Sequence, residues 1–451
     1  MSKAITIKRG LDIKLKGSAE KMLGDAPRTT LCALKPTDFV GFTPKLAVKQ
    51  GEEVLAGDAL FFDKGQPEIV YPSPVSGEVV EIKRGAKRKI LEVKILADQE
   101  IKYREFGALD VQSMNATEVR EKLLKSGFWS LIRQRPFSIS PNPAQSPKAI
   151  HISCFNSAPL APDYDFIMEG KMDSFRAGIK ALQTLAPVHL NLNGKTGFNK
   201  GFEGIEGVVY TSFNGPHPAG TIGVQVNKID PINKGEAIWY LNPQDVARIG
   251  KLMETGRAES TRIVAVAGSE VKAPKYFEAL VGVQISTLLH EGVAAGNLRY
   301  ISGNPLTGTK IEEDGFLGYY DDLLTVLPEG DELGFFLTDG WLGTGMKKFS
   351  NSKSYFNWLM PKKTYRLDTN TNGELRAFVV TGEMEKVFPF DIYPMQLIKS
   401  IMINDIDAME KLGVYEVDAE DFALCEFVNT SKIDIQNVVR DGMENLRKEL
   451  F

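Results

Sequence analysis

The strongest constraint on this chain is an alternation of strand-like and helix-like segments between about residues 149 and 256. AIHISC at 149–154 reads as a buried strand. Met172, Phe175, Ile179, Leu182 and Leu185 follow at spacings of 3, 4, 3 and 3, which places them on one face of a helix. Segments 188–192, 207–211 and 236–241 read as further strands. Asn242 then caps a helix, with Pro243 at its first position and Gly256 past its end. Upstream, Thr117 reads as the cap of a helix through Leu124, with Gly127 as its stop. Strands alternating with helices imply a largely parallel sheet covered by helices, a Rossmann-like α/β unit.

The flanking segments read differently. Residues 1–105 are short apolar stretches separated by Gly, Pro and charged turns, which predicts an all-β unit. TPKLAVKQGEEVLAGDALFF followed by PEIVYPSPVSGEVVEIKRG looks like the biotinyl/lipoyl-type barrel-sandwich. Residues 258–328 hold TRIVAVAG, KYFEALVGVQISTLLHEG and NLRYISGNPLTG, a strand, a strand turning into a short helix, and a strand with a turn. A unit this small suggests a β-grasp module. From 329 to about 390 the reading is β-rich with loops, and LRAFVVTG is its clearest strand. From Tyr393 onward it is helical: Ser431 with Asp434 resembles a capping box, and Ile435, Val439, Met443, Leu446 and Leu450 mark one face of the last helix. The predicted division is 1–105, 106–257 (the α/β unit), 258–328 and 329–451.

With 451 residues, 43% hydrophobic and 25% charged, the chain can bury several cores and is not disordered. A net charge of −4 argues against nucleic acid as a partner. The thiols Cys32, Cys154 and Cys425 lie far apart, and neither they nor the four histidines have metal-ligand spacing, so no metal site is expected. Few cysteines fit a reducing cytosol. The opening MSKAITIKRG lacks the apolar core of a secretory signal, and no apolar run approaches membrane-helix length.

Several segments could carry chemistry. Asp63-Lys64 sits where lipoyl domains carry their cofactor on a hairpin lysine, or it is an ordinary turn in a fold reused without the cofactor. Lys83, Arg84, Lys87, Arg88 and Lys89 form a basic cluster that could dock an acidic partner subunit or lipid headgroups, or simply be a solvated hairpin. LNGKTGFNKGFEGIEG is rich in glycine but matches neither dinucleotide nor P-loop spacing, and reads as a structural loop. In GPHPAGTIG, Gly215 and two prolines present His217 from a non-repetitive segment, for a hydrogen bond, a proton, or a structural bridge. His151 and His189 fall in predicted core strands and read as buried, satisfied residues. In IRQRPFS, Arg133, Arg135 and Phe137 could clamp an anion or a planar ring, or dock on another domain. No catalytic signature is present, so the isolated chain does not read as a self-sufficient enzyme.

The order of parts carries a resemblance. MSKAITIKRGLDIKLKG, TPKLAVKQGEEVLAGDALFFDK, VSGEVVEIKRGAKR, RPFSISP, GPHPAGTIG, LNPQDVARIGKL, RIVAVAGSEVKAP, ISGNPLTG and EDFALCEFV occur in an order that resembles the NqrA family, whose members are subunits of the Na⁺-translocating NADH:quinone reductases of bacterial membranes. That family is related to RnfC and to the flavin- and NADH-binding subunit of complex I. The resemblance implies a barrel-sandwich, a Rossmann-like domain, a β-grasp (SLBB-like) module and a C-terminal β segment with a helical bundle. It implies a peripheral subunit on the cytoplasmic side of the inner membrane, an oxidoreductase and translocase only as part of its complex. That complex carries electrons from NADH through flavins and an Fe–S centre to quinone and exports Na⁺. Where the complex-I relative has its GRGGxGF flavin loop, this chain reads KSGFWSLIRQRPFS, with Trp129 and Leu131 in place of glycines. Where relatives place a CxxC-type cluster, only Cys425 stands. The expectation is therefore a cofactor-free subunit, acting in assembly and in quinone contact through His217, Gly215, Arg133, Arg135 and Phe137. The basic cluster at 83–89 would meet partner subunits. An independent flavin/NADH oxidoreductase and a lipoyl-like carrier are the alternatives.

Overall fold

The computed structural model describes residues 3–195, 201–331, 345–346, 348–349 and 359–450. Two short strands come first, β1 (Lys3–Thr6) and β2 (Glu20–Gly24). Seven more follow: β3 (Leu31–Leu34), β4 (Pro44–Leu46), β5 (Glu53–Val54), β6 (Ala59–Asp63), β7 (Val70–Pro72), β8 (Gly77–Arg84) and β9 (Ile90–Ala97). They make two small sheets, in the orders β3-β9-β8-β5 and β4-β6-β7. Leu34, Phe61, Tyr71, Val79, Val93 and Ile95 are buried in their core, with Phe61 and Tyr71 stacked at 5.0 Å. This is the expected barrel-sandwich.

Residues 3–24, which the sequence groups with the barrel, put their strands elsewhere. β1 lies parallel to the last strand of one α/β run, Lys3 opposite Thr211. β2 extends the third sheet, Lys275 opposite Glu20. Each covers a sheet edge whose backbone groups would otherwise lack partners.

The α/β unit opens with α1 (Ala116–Lys125). Its cap is Asn115 rather than the expected Thr117: Asn115 accepts from the N–H groups of Thr117 and Glu118, and Glu118 accepts in return from the Asn115 N–H. There follow β10 (Arg133–Arg135), β11 (Ile150–Ser153), α2 (Tyr164–Ile167), α3 (Met172–Gln183), β12 (Val188–Asn193), β13 (Val208–Asn214), α4 (Ile222–Ile229), β14 (Ile238–Leu241) and α5 (Pro243–Thr255). The sheet order is β1-β13-β12-β11-β14-β10; all pairs are parallel except β10 with β14. After β1 and β10, the chain lays β11, builds outward on one side through β12 and β13, then returns to place β14 on the other side. The direction reverses between β11 and β14, which is where ligands sit in such sheets. Asn242 caps α5 and Gly256 ends it with φ of 74°, as expected. Helices α3 and α5 cross at Gly178 and Gly250. A Cβ on Gly250 would stand 1.7 Å from the Ser174 carbonyl oxygen, and one on Gly178 would stand 2.0 Å from that of Val246.

The third sheet holds β15 (Thr261–Ala267), β16 (Lys275–Leu280), β17 (Leu298–Ser302), β18 (Thr309–Ile311) and β19 (Leu323–Pro328), with α6 (Ile285–Leu288) between β16 and β17. Its order is β18-β17-β19-β15-β16-β2. Val264, Phe277, Ile285, Leu324 and Val326 form its separate core, as a β-grasp module requires. The C-terminal region is helical: α7 (Met384–Val387), α8 (Pro394–Met402), α9 (Ile406–Lys411), α10 (Ala423–Val428) and α11 (Ile435–Leu450).

Three local expectations fail here. LRAFVVTG forms no strand; Leu375 and Val380 are 74% and 62% exposed. Among the described residues it pairs with no strand, and its Arg376 N–H instead reaches the Ser431 carbonyl. Ser431 is consequently no helix cap: its hydroxyl donates to the Ala377 carbonyl. Asp434 takes the capping role, accepting from the Asn437 N–H. Ile435, Val439, Met443 and Leu446 are buried as expected, but Leu450 is 39% exposed.

Candidate functional site

The reversal between β11 and β14 opens a crevice at the carboxyl ends of both strands. Ser153 closes β11 and leads to Phe155 and Asn156; Leu241 closes β14 and leads to Asn242 and Pro243. Thr221 and Ile222 at the start of α4 complete one wall, and the cleft has about 130 Å³ of free volume. Asn304 and Thr307 enter it from the turn after β17, and Glu420 from the helical region. Three units of the chain therefore wall one cleft. A second hollow of about 170 Å³ lies beside it, sharing Phe155, Asn156 and Tyr164 and reaching Cys154 and Asn193. Burial raises the Cys154 thiol well above its usual range, which disfavours the thiolate.

Of the residues singled out in the sequence, His217 and Arg133 line this cleft. His217 sits in the loop from β13 to α4, and residues after β1 hold that loop. Its N–H donates to Asp12 Oδ1 at 2.8 Å, and its carbonyl accepts from Leu11 at 2.8 Å. Gly215 lies two residues earlier, behind the wall, with φ of +135°. A Cβ there would meet the Ile7 carbonyl oxygen at 2.3 Å, so Gly215 shapes the loop rather than facing the cleft. The His217 ring is 7% exposed, and its Nδ1 lies 3.0 Å from Ser157 Oγ. Burial pushes its pKa down to about 4 against the pull of Asp12. At neutral pH it is a neutral hydrogen-bonding ring.

Arg133 and Arg135 point to the same side of β10 but do different things. Arg133 stands opposite Tyr240 across the antiparallel pair. Its guanidinium carbon lies 4.5 Å from the ring centroids of both Tyr240 and Tyr320. Arg135 turns to the helical region. It donates to Asp421 at 2.6 Å and to Glu420, and is 1% exposed. Burial pushes Asp421 up to about 7 although Arg135 pulls it down. Gly223 makes room for that pair, since a Cβ there would come within 2.3 Å of the Arg135 Nη1. Phe137 is buried in the main core. Arg135 and Phe137 do not line the cleft, so the expected clamp of three residues is reduced to Arg133. The rest of IRQRPFS docks one part of the chain on another.

The sequence did not point to Tyr240, Asn156, Asn304 or Glu420. Asn242 it found as a cap, but the same residue also donates to Tyr164 Oη and to Asp322 Oδ2, both at 2.9 Å. Behind it Asp245 accepts from Arg262 at 2.6 Å and Arg248 at 3.0 Å, all three buried. The one local signal was ISGNPLTG, which delivers Asn304 and Thr307.

The remaining segments lie away from the cleft. Lys83, Arg84, Lys87, Arg88 and Lys89 are exposed at the β8–β9 turn, where Arg84 donates to the Arg88 carbonyl and Lys83 lies 3.7 Å from Glu92. Lys64 is exposed at the β6–β7 turn, which Asp63 pins by accepting from Thr43 and Gly65 N–H groups. Part of the glycine-rich loop, 196–200, lies outside the described residues. His151 and His189 are not the satisfied pair expected. They are register partners on β11 and β12, stack at 4.5 Å, and each has an Nδ1 without a hydrogen-bond partner among the described residues.

Three family models match along the chain. They are described as the NqrA N-terminal barrel-sandwich hybrid domain (residues 5–98), the NqrA second alpha/beta domain (114–258) and the NQRA C-terminal domain (263–313). The corresponding subunit of the Na⁺-translocating NADH-quinone reductase of Serratia proteamaculans is 33% identical over 450 residues, covering 99% of this chain and 100% of the relative. Its counterpart of the same name from Pseudomonas aeruginosa (strain UCBPP-PA14) is 36% identical over 448 residues, at 99% and 100% coverage. That from Vibrio atlanticus is 34% identical over 450 residues, again at 99% and 100%.

Proposed function

The chain belongs to the NqrA family of Na⁺-translocating NADH-quinone reductase subunits, and on that premise we propose that it works as one peripheral subunit of such a pump. It sits on the cytoplasmic side of the membrane, joins the other subunits in assembly, contacts quinone, and holds no flavin or iron–sulfur centre of its own. The observation that carries this reading is the full-length match in an unchanged order of parts. For those parts we keep the divisions 1–105, 106–257, 258–328 and 329–451, with β1 and β2 lent to the second and third.

Peripheral attachment is supported by the helices: among the described residues none is long and apolar enough to cross a membrane. The absence of a resident centre is supported by the side chains. Among the described residues no group of three or more His, Cys, Asp or Glu could hold a metal ion. Cys32 and Cys425 are buried like Cys154, and burial raises both thiols, Cys32 to about 12. At the place of the relatives' flavin loop, Trp129 and Leu131 fill the core. Trp129 donates its ring N–H to the Pro141 carbonyl and packs edge-on against Trp239. These residues do not fit a flavin phosphate there.

For quinone contact we choose the cleft at His217 and Arg133. Asn156 spends its Oδ1 on the Ala158 N–H and keeps its amide N–H groups for a carbonyl oxygen. Phe155 and Tyr240 supply flat apolar walls. At about 130 Å³ the cleft is smaller than the roughly 300–1,000 Å³ of a drug-sized pocket, which suits a head group rather than a whole cofactor.

The test is recovery of the tagged protein from gently solubilised native membranes. Co-purification with flavin-bearing membrane subunits, with a colourless isolated chain, is the expected result. Deleting the gene should abolish Na⁺-stimulated NADH:quinone activity in those membranes, and unchanged activity sinks the reading. Equilibrium binding of a short-chain benzoquinone, weakened by His217→Ala, tests the quinone contact separately.

A further inference from the structure

The cleft carries one charge that a neutral quinone does not need. Among the described residues the Arg133 side chain makes no hydrogen bond and no ion pair, and its Nε is buried without a partner. Tyr240 and Tyr320, each 4.5 Å away, hold the cation by their ring faces. Ring faces offer no acceptor for the five N–H donors of a guanidinium. The tyrosine oxygens are engaged elsewhere: Tyr240 Oη lies 2.9 Å from Ser138 Oγ, and Tyr320 Oη donates to the Ser130 carbonyl at 2.7 Å.

The carboxylates near Arg133 form no ion pair with it, although the charge of Glu420 on the cleft wall acts on it and only Oε1 of that carboxylate is engaged. Glu420 and Asp421 face Arg135, and Asp245 faces Arg248 and Arg262. Asp322 is held by Asn242 and Tyr164. Among the described residues the unspent donors on the cleft wall are the Arg133 fork, the Asn156 amide and the Thr221 hydroxyl, which caps nothing; the one carboxylate on that wall, Glu420, is turned by its Oε1 to Arg135.

We infer that the cleft is an oxyanion site, whose ligand sets two oxygens of a phosphate group against the N–H fork of Arg133. Asn156 and Thr221 donate to the remaining oxygens. The tyrosine pair fixes the fork before the ligand arrives, so little side-chain freedom is lost on binding. The phosphate is either the free inorganic ion or the terminal group of a small phosphomonoester. The inference rests on reading this cleft as the ligand site, and not on quinone being a ligand there.

The experiment is calorimetric titration of the full-length protein with inorganic phosphate and, separately, with AMP. Saturable one-to-one binding is expected, weakened about tenfold or more in Arg133→Met and only partly restored in Arg133→Lys, whose ammonium lacks the fork. AMP binding at least about tenfold tighter than phosphate assigns the phosphomonoester source; equal or weaker AMP binding assigns the free ion. Arg133→Met should melt no lower than the parent, because it removes an unpaired charge; should it fail to fold, Asn156→Leu and Thr221→Val serve instead and should each weaken phosphate. No binding of either probe at about 10 mM, or equal binding by parent and variants, overturns the inference. A short-chain benzoquinone that binds where phosphate does not overturns it while sparing the quinone contact. Phosphate binding without quinone binding does the reverse.

Discussion

Replacing His151 by phenylalanine should make the protein more resistant to acid without weakening it at neutral pH. His151 is 2% exposed, its ring stacks on His189, and its Nδ1 has no partner among the described residues. Burial, with a smaller push from His189, lowers its pKa from 6.5 to about 3. The unfolded chain therefore binds a proton below pH 6.5 that the folded chain refuses. This stability is fully present above 6.5 and drains away as the pH falls towards 3. At pH 5 the unfolded histidine lies 1.5 units above the solution pH, which at about 1.36 kcal/mol per unit is about 2 kcal/mol lost. For a folding unit of 150–250 residues that is roughly 4–8 °C in Tm. Phenylalanine keeps a flat ring against His189 and removes the titrating group. Scanning calorimetry at pH 7.5 and pH 5 should show the variant's Tm falling less than the parent's by roughly those 4–8 °C. At pH 7.5 the variant should be equal or better by about 1 kcal/mol, since an unsatisfied buried nitrogen is gone. Parallel Tm curves for parent and variant, or a clear loss at pH 7.5, would refute the reasoning.

Arg135→Met should cost about 3–5 kcal/mol in urea unfolding, because it strands the buried Asp421 carboxylate; adding Asp421→Leu should recover much of that, and a double variant no better than the single one contradicts the pairing. Gly250→Ala, which elsewhere in a helix would stabilise, should cost about 3 kcal/mol or more, because its Cβ would meet the Ser174 carbonyl at 1.7 Å; an unchanged Tm rules out the close helix crossing. Reversing Lys87, Arg88 and Lys89 to Glu should lower recovery of partner subunits in the pull-down without changing Tm, and full recovery removes this turn as a docking surface.

What could be read from the sequence depended on how local its cause was. The α5 boundaries were legible because Asn242, Pro243 and Gly256 act within one helix. The α3 face was legible because burial on one side leaves a 3.6-residue period in the sequence. LRAFVVTG misled for the matching reason: β propensity reports a residue's preference, while a strand needs a neighbour, and among the described residues it pairs with none. The cleft was half legible. His217 and Arg133 stood out by their unusual settings, but Tyr240, Asn304 and Glu420 meet there only because the sheet reverses and two other units close over it. Arg133 and Arg135 are two residues apart and look alike as letters. Only the placement of Asp421, 286 positions later, separates a spent guanidinium from an unspent one.

The strands β1 and β2 have a consequence for how the chain is made. The ribosome releases Lys3–Thr6 about 200 residues before β13, the strand it must pair with, and Glu20–Gly24 about 250 residues before β16. At roughly 5–20 residues per second the first wait is on the order of ten to forty seconds. The barrel-sandwich draws all seven of its strands from residues 31–97 and can close during that interval. The two larger sheets cannot. Each keeps an open edge at least until β13 or β16 has been made, so β1 and β2 wait unpaired for partners that lie 200 or more residues further along the chain.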